Sequence, residues 1–266
     1  MEKTDLKDYN RGELERWVTG RGYKPFRARQ VLDCFYRGGV TDFQSMNNIP
    51  AKLRTELDGH FSVEELVCLK RSAAADGTRK YLFTLADGRR IESVLIPSKK
   101  RRTLCVSSQA GCAMGCKFCA TATVRPVRNL FAREIVAQVL AVQSDLGTEN
   151  VVSNLVLMGM GEPLANYEQV IKAIGTFTAD WGLRVPPRRV TVSTVGLVPQ
   201  MRRLLRETKV NLTISLTATC DEVRDSLMPV NKRYPLAVIM DVCRTQERKS
   251  RKRITFAYTL LRDVND

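Results

Sequence analysis

Thr103-Leu104-Cys105-Val106-Ser107-Ser108-Gln109-Ala110-Gly111-Cys112-Ala113-Met114-Gly115-Cys116-Lys117-Phe118-Cys119 begins as a strand and breaks into a loop that carries three cysteines. Thr103–Ser107 alternates as a strand does, and Cys112, Cys116 and Cys119 follow at C-x3-C-x2-C spacing. Thiolates are the ligands of a 4Fe–4S cluster, normally one per iron. Three in a tight loop therefore hold three corners of the cube and leave the fourth iron open to an external ligand. The loop follows a strand, which places it where barrel enzymes keep their chemistry. Neighbouring cations are expected to lower the thiol pKa and to suit an anionic cluster. A zinc knuckle would complete its shell with a histidine, and the single histidine, His60, lies in a distant segment. The alternative from a different class is a zinc-stapled RNA-binding protein without catalysis.

Outward from this loop the chain alternates strand and helix. Strands are predicted at Thr103–Ser107, Asn154–Met158, Arg189–Thr194, Asn211–Leu216 and Ile254–Leu260. Helices are predicted between them at Ala132–Asp145, Tyr167–Asp180, Val198–Glu207 and Leu236–Glu247. Strand, crossover helix and parallel strand make an α/β fold, either part of a barrel or a doubly wound sheet. Upstream, Tyr81–Leu85 and Ile91–Ile96 flank the turn Ala86-Asp87-Gly88, a hairpin signal. Residues 1–60 read as short helices punctuated by Gly20, Gly22, Pro25, Gly38, Gly39 and Pro50, with apolar stripes at Leu14/Trp17/Val18, Val31/Leu32/Phe35 and Leu53/Leu57. The expected organisation is a helical accessory module over 1–60, a β-hairpin connector over 61–97 and a core over 98–266.

The chain has 266 residues, 44% of them hydrophobic, and no apolar run long enough to span a membrane. The segment beginning Met1-Glu2-Lys3 lacks the apolar stretch of a secretory signal, so a reducing cytoplasmic setting is expected, where clustered cysteines mean metal or catalysis. The net charge of +15 is unevenly placed. No acidic residue lies between Glu92 and Glu134, a span that opens with Lys99-Lys100-Arg101-Arg102. A second basic stretch is Arg184, Arg188, Arg189, Arg202, Arg203 and Arg206, and a third runs from Arg244 to Arg253. Such stretches suit a phosphate backbone, so nucleic acid is the expected partner, with a solvated face as the alternative.

A second segment fits the cysteine loop. Val156-Leu157-Met158-Gly159-Met160-Gly161-Glu162-Pro163 ends a strand in a glycine-rich turn bearing a carboxylate. C-x3-C-x2-C is the signature of radical S-adenosylmethionine (SAM) enzymes, and Gly159–Glu162 resembles their SAM-binding glycine–glutamate turn. Together with Arg188-Arg189-Val190-Thr191, Met228-Pro229-Val230-Asn231 and Lys24-Pro25-Phe26-Arg27, the chain closely resembles the bacterial dual-specificity RNA methyltransferases. The resemblance extends to Val264-Asn265-Asp266 and so covers essentially the whole chain. It implies a partial (β/α) barrel of the radical SAM type, a 4Fe–4S cluster on Cys112, Cys116 and Cys119, and SAM bound by Gly161, Glu162, Ser193, Ser215, Leu216 and Thr217. It implies 23S rRNA and tRNA as substrates, methylated at adenine C2, with an electron donor such as flavodoxin, a monomeric enzyme and no membrane. In that family a methylated C-terminal cysteine gives up hydrogen to the SAM-derived radical and adds to C2. A second cysteine, Cys105 by position, then resolves the adduct as a disulfide, and Glu92 by position removes the C2 proton. The related enzymes that methylate adenine C8 share much of the framework and remain an alternative. Two departures stand out. Ser215-Leu216-Thr217 replaces the common Ser-Leu-His, and the stretch that carries the methylated cysteine is expected beyond Asp266. Cys220, Cys243, Cys34 and Cys68 are poor substitutes for it, which makes an incomplete copy of the enzyme the expectation.

Overall fold

A computed structural model of the chain describes residues 3–147, 151–249 and 253–266, with the backbone alone for 246–249. The accessory module is closed by its own ends, because β1 (Thr4–Asp5) pairs in parallel with β2 (Phe61–Ser62). Between them stand α1 (Arg11–Thr19), α2 (Phe26–Tyr36) and α3 (Ala51–His60). Helix α1 starts at a capping box: Glu13 N–H donates to Asn10 Oδ1 at 3.0 Å, and Asn10 N–H donates to Glu13 Oε2 at 2.7 Å. The three apolar stripes read from the sequence are buried as one cluster, with Phe61 filling the gap beside Trp17.

The main sheet holds eight strands in the order β12-β11-β10-β9-β6-β5-β4-β3. In chain order these are β3 (Val67–Ala73), β4 (Arg79–Thr84), β5 (Arg90–Ser98), β6 (Arg101–Cys105), β9 (Asn154–Leu157), β10 (Val190–Thr194), β11 (Asn211–Ser215) and β12 (Ile254–Ala257). A two-residue ladder of β7 (Gln109–Ala110) with β8 (Arg128–Asn129) closes the cysteine loop. Strands β6, β9, β10, β11 and β12 are parallel and lie side by side in chain order. A doubly wound sheet reverses its order at a switch point. The unbroken order here winds in one sense, as a partial barrel does, and it decides between the two α/β alternatives. Strands β3–β5 extend the same sheet antiparallel, so the hairpin is continuous with the core through the pairing of Val94 with Cys105.

Crossovers are made by α4 (Ala132–Leu146), α5 (Tyr167–Thr178), α6 (Val198–Glu207), α7 (Asp221–Leu227) and α8 (Leu236–Lys249). The seven residues of α7 are too few to show a helical period, which is why the sequence did not reveal it. Burial alternates along the strands. Leu104, Leu155, Leu157, Val190, Val192, Leu212 and Ile214 are sealed into the core with the helices, and Ser93 Oγ reaches Gln138 of α4 at 2.8 Å. The alternate residues face the other side of the sheet, which therefore carries Glu92, Cys105, Ser193 and Ser215. Among the described residues no helix is long and apolar enough to cross a membrane.

Candidate active site

The cysteine loop leaves the C-terminal end of β6. Gly111 has φ +81, and a Cβ there would meet the Val124 carbonyl oxygen at 2.6 Å, so the turn into Cys112 needs a glycine. Arg125 donates to the Cys112 carbonyl at 3.0 Å, Cys119 N–H to the Cys116 carbonyl at 3.1 Å, and Lys117 N–H to the Leu227 carbonyl at 2.9 Å. Cys112 and Cys116 are buried and Cys119 is half-buried. Met114, Phe118, Val195, Leu227, Met228 and Val230 pack about Cys116 and keep water out. Burial pushes the Cys116 thiol up to about 11, and the nearby Cys112, Cys119 and Glu162 add to it against the opposing charge of Arg224. Cys112 is raised by the same dominant cause, burial. For Cys112 and Cys116 the expected lowering by neighbouring cations is thus outweighed by desolvation. Electrostatic influence passes among Cys112, Cys116 and Cys119, and Glu162 acts on the first two.

Glu162 sits on a loop stitched to the segment just before the cysteines. Gly161 has φ +100, and a Cβ there would stand 2.5 Å from Gln109 Cβ. The close approach lets Gln109 Oε1 accept from Glu162 N–H at 2.8 Å, while Ser108 and Gln109 N–H donate to the Met160 carbonyl at 2.9 and 3.1 Å. Ser107 Oγ accepts from Met160 N–H at 3.0 Å and donates to the Glu92 carbonyl at 2.6 Å. The Glu162 carboxylate is 2% exposed and accepts from Leu164 N–H at 3.0 Å and Val195 N–H at 2.9 Å. Burial raises it to about 7 despite those donors and Thr194. A buried carboxylate poised in this way favours a cationic ligand, whose charge would restore its ionised form.

The rim continues across β10 and β11. Ser193 pairs in register with Thr213, two residues before Ser215 on the same face. Beyond Ser215, Leu216 N–H donates to the Ala257 carbonyl at 2.8 Å. Thr217 is buried at φ +58, an unusual conformation for a β-branched residue, and its carbonyl accepts from Asn265 Nδ2 at 2.6 Å. Arg224 of α7 ties the rim together from behind. It is wholly buried and donates to the carbonyls of Val195 (2.7 Å), Leu216 (3.0 Å) and Ser215 (3.2 Å) and to Asn231 Oδ1 (2.7 Å). Arg224 and Gln109 were not singled out as site residues from the sequence. One arginine among so many gives no signal of burial, and Gln109 was visible only as part of the strand-to-cysteine motif.

On the helix-free face, β5 and β6 bring Glu92 and Cys105 to one surface, since Val94 pairs with Cys105 and Glu92 lies two residues further along. The Glu92 carboxylate is ion-paired with Lys80 at 3.0 Å. Burial raises the Cys105 thiol to about 11, opposed by the Met158 N–H. The other cysteines stand in other elements: Cys34 in α2, Cys68 on the edge strand β3, Cys220 capping α7 and Cys243 in α8. His60 is packed on Trp17 and Phe61, with ring centroids 5.3 and 4.7 Å away, inside the accessory module. Among the described residues no three His, Cys, Asp or Glu side chains are gathered as ligands of a single ion. A cube-shaped cluster takes one thiolate at each of three irons, and three cysteines at C-x3-C-x2-C spacing on one loop with apolar neighbours fit it.

The basic stretches divide between this rim, where Lys117 and Arg125 stand in and after the cysteine loop, and the other end of the sheet. Lys99–Arg102 forms the turn into β6, Arg188 and Arg189 precede β10, and Arg253 precedes β12. These are the N-terminal ends of the parallel strands, whereas the cysteine loop leaves a C-terminal end. Residues 250–252 of the third stretch lie outside the described residues.

The chain was compared with known proteins. A family model described as the ribosomal RNA large subunit methyltransferase N-terminal domain matches residues 4–63, and one described as the radical SAM superfamily matches residues 106–266. A dual-specificity RNA methyltransferase RlmN of Syntrophobacter fumaroxidans is 50% identical over 100% of this chain and 78% of its own length. One from Geobacter sulfurreducens is 50% identical over 98% of this chain and 72% of its own. A crystal structure of a radical SAM methyltransferase from Sphaerobacter thermophilus superposes with a TM-score of 0.92 at 40% identity, covering 99% of this chain and 78% of that one.

Proposed function

Because this chain belongs to the radical SAM family of dual-specificity RNA methyltransferases, we propose that it supplies the cluster-binding and SAM-binding parts of an enzyme that methylates adenine C2 in 23S rRNA and tRNA by way of a cysteine-bound methyl group. The three cysteines on one loop after the C-terminal end of β6, with buried Glu162 on the adjoining loop, carry this reading. Cys112, Cys116 and Cys119 would hold a 4Fe–4S cluster. When bound, the cluster supplies the electron that cleaves SAM to a 5′-deoxyadenosyl radical. Such chemistry suits adenine C2, which lies between two ring nitrogens and is too electron-poor to attack a methyl cation equivalent.

The chain's own residues divide the remaining work. Gly161 lets backbone approach SAM, and the Glu162 carboxylate receives the methionine amine. The hydroxyls of Ser193 and Ser215 and the turn at Leu216 and Thr217 line the same rim. Cys105 stays protonated in its buried setting until it is called on to resolve the methylated adduct, and Glu92, held by Lys80, accepts the C2 proton. The partners that follow are the two RNAs and a flavodoxin-like electron donor, with the enzyme acting as a cytoplasmic monomer.

Anaerobic reconstitution with iron and sulfide tests the centre. The chain should turn brown and, with dithionite and SAM, release 5′-deoxyadenosine and methionine. The C112A/C116A/C119A variant should do neither. A colourless protein that retains zinc would overturn the proposal. In RNA from cells dependent on this enzyme, methyl groups at adenine C8 in place of C2 would assign the sibling chemistry.

A further inference from the structure

The cations that do not serve the cysteine rim are gathered elsewhere. In the parallel sheet, Thr103 pairs with Asn154, Leu155 with Val190, Thr191 with Asn211, and Leu212 with Ile254. The residues that enter these strands therefore form one row across the end of the sheet opposite the cysteines. Lys100 and Arg101 stand at the β5–β6 turn, Arg188 and Arg189 at the start of β10, Lys209 just before β11, and Arg253 just before β12. All six are exposed, and none is in an ion pair among the described residues. Adjacent strands lie about 4.8 Å apart, so a row from β5 to β12 is roughly 20–25 Å wide.

This arrangement differs from that of other cations in the molecule. Arg71 and Arg79 are held by Asp145, Arg128 by Glu134 and Asp87, and Arg203 by Glu168 and Glu207. A surface that pairs its arginines in these places leaves them unpaired in a row along one edge. Next to the row, Arg184 of the α5–β10 connection reaches Asp33 of α2 at 3.5 Å, and Trp181 packs against Tyr36. The edge is thereby continuous with the accessory module.

We propose that this edge is a second RNA-binding surface, holding the phosphate backbone of a helical segment remote from the target base while the base reaches the opposite rim. The inference rests on the RNA methyltransferase reading above. Four or five residues at about 3.3 Å separate the two ends of each parallel strand, roughly 15 Å before the loops are added. An RNA consisting of one short hairpin can occupy the cysteine rim alone, whereas a folded RNA extends past it. The contacts are to phosphates, so they add affinity and position without reading sequence.

The test uses the full chain, transfer RNA as the long ligand, a single short hairpin as the short one, and a quadruple variant, K100Q/R101Q/R188Q/R189Q. Removing four phosphate contacts should lower the slope of log affinity against log salt by about 3 and weaken transfer RNA binding at least tenfold at about 0.1 M salt. Hairpin binding should be unchanged. The pairs K100Q/R101Q and R188Q/R189Q should each give about half the change in slope, which guards against one misfolded variant. An unchanged slope and affinity for transfer RNA in the quadruple variant would overturn the second surface while leaving the methyltransferase reading intact. Failure of the unsubstituted chain to bind either RNA would instead strike at that reading. Loss of binding to anionic phospholipid vesicles with transfer RNA binding unaltered would give the edge to a membrane surface and also overturn the proposal.

Discussion

The two ends of the parallel sheet use charge in opposite ways. At the C-terminal end, Glu162 and Arg224 are removed from water, and their polar atoms meet backbone partners and the Asn231 side chain. At the N-terminal end, Arg188, Arg189 and Arg253 stand in solvent without a counter-ion among the described residues. Buried charge is costly unless its geometry is fully satisfied, and that requirement fixes the loops around it. Exposed charge in water costs almost nothing and fixes nothing, so it stays free for a ligand. The same residue type is thus architecture at one end and, on our reading, recognition at the other.

If this contrast holds, substitutions at the two ends should differ in stability by an order of magnitude. The largest effect is expected for Arg224→Met. It leaves three buried carbonyls and the Asn231 amide oxygen without their donor and should cost about 3–5 kcal/mol in urea unfolding. Arg224→Lys keeps the charge but not the fork of donors, and should recover only part of that loss. A loss for Arg224→Met below about 1 kcal/mol would break the comparison.

Glu162 should show itself through pH. Its folded pKa of about 7 lies above the ordinary 4.5, so the folded chain binds the proton more tightly than the unfolded chain does. That stabilisation is complete below about pH 4.5 and is lost as pH rises to about 7, amounting to about 3 kcal/mol in the metal-free chain. In Glu162→Gln this fall should vanish, read as the difference between the two unfolding curves across that window. Parallel curves would refute the burial argument.

Gly161→Ala comes next, at about 2–3 kcal/mol, because the added Cβ meets Gln109 in a left-handed backbone conformation. Thermal unfolding checks it, and an accompanying loss of SAM affinity would show that the Gln109–Glu162 hydrogen bond positions the carboxylate. The smallest effect belongs to R188Q/R189Q, within about 0.5 kcal/mol of the unsubstituted chain, since neither side chain is packed or ion-paired among the described residues.

Much of the architecture was legible in the chain. The positions of β9, β10 and β11 and the helix Val198–Glu207 follow from periodicity, because each buries one face and the period records which. Strand β3 lay within the segment read as strands, but its full exposure as the outer edge could not be read locally. The cysteine loop was legible because ligand spacing is a local property. Arg224 was hidden because its burial depends on three segments, β10, β11 and α7, that meet only after folding. The basic stretches were visible, but their side of the molecule was not: a run of cations carries no record of which strand end it occupies.

By itself, the sequence determined the spacing of Cys112, Cys116 and Cys119, the α/β alternation and the glycine-bearing turn at Glu162, since these depend on neighbours a few residues apart. Tertiary structure decided that Glu92, Cys105, Ser193 and Ser215 share one face, because register across five strands sets that placement. It also decided that burial, rather than nearby cations, governs the Cys112 and Cys116 thiols, and that Lys100, Arg101, Arg188, Arg189 and Arg253 lie at the opposite end of the sheet. Both depend on distances through space and on exclusion of water, which no short stretch of chain encodes.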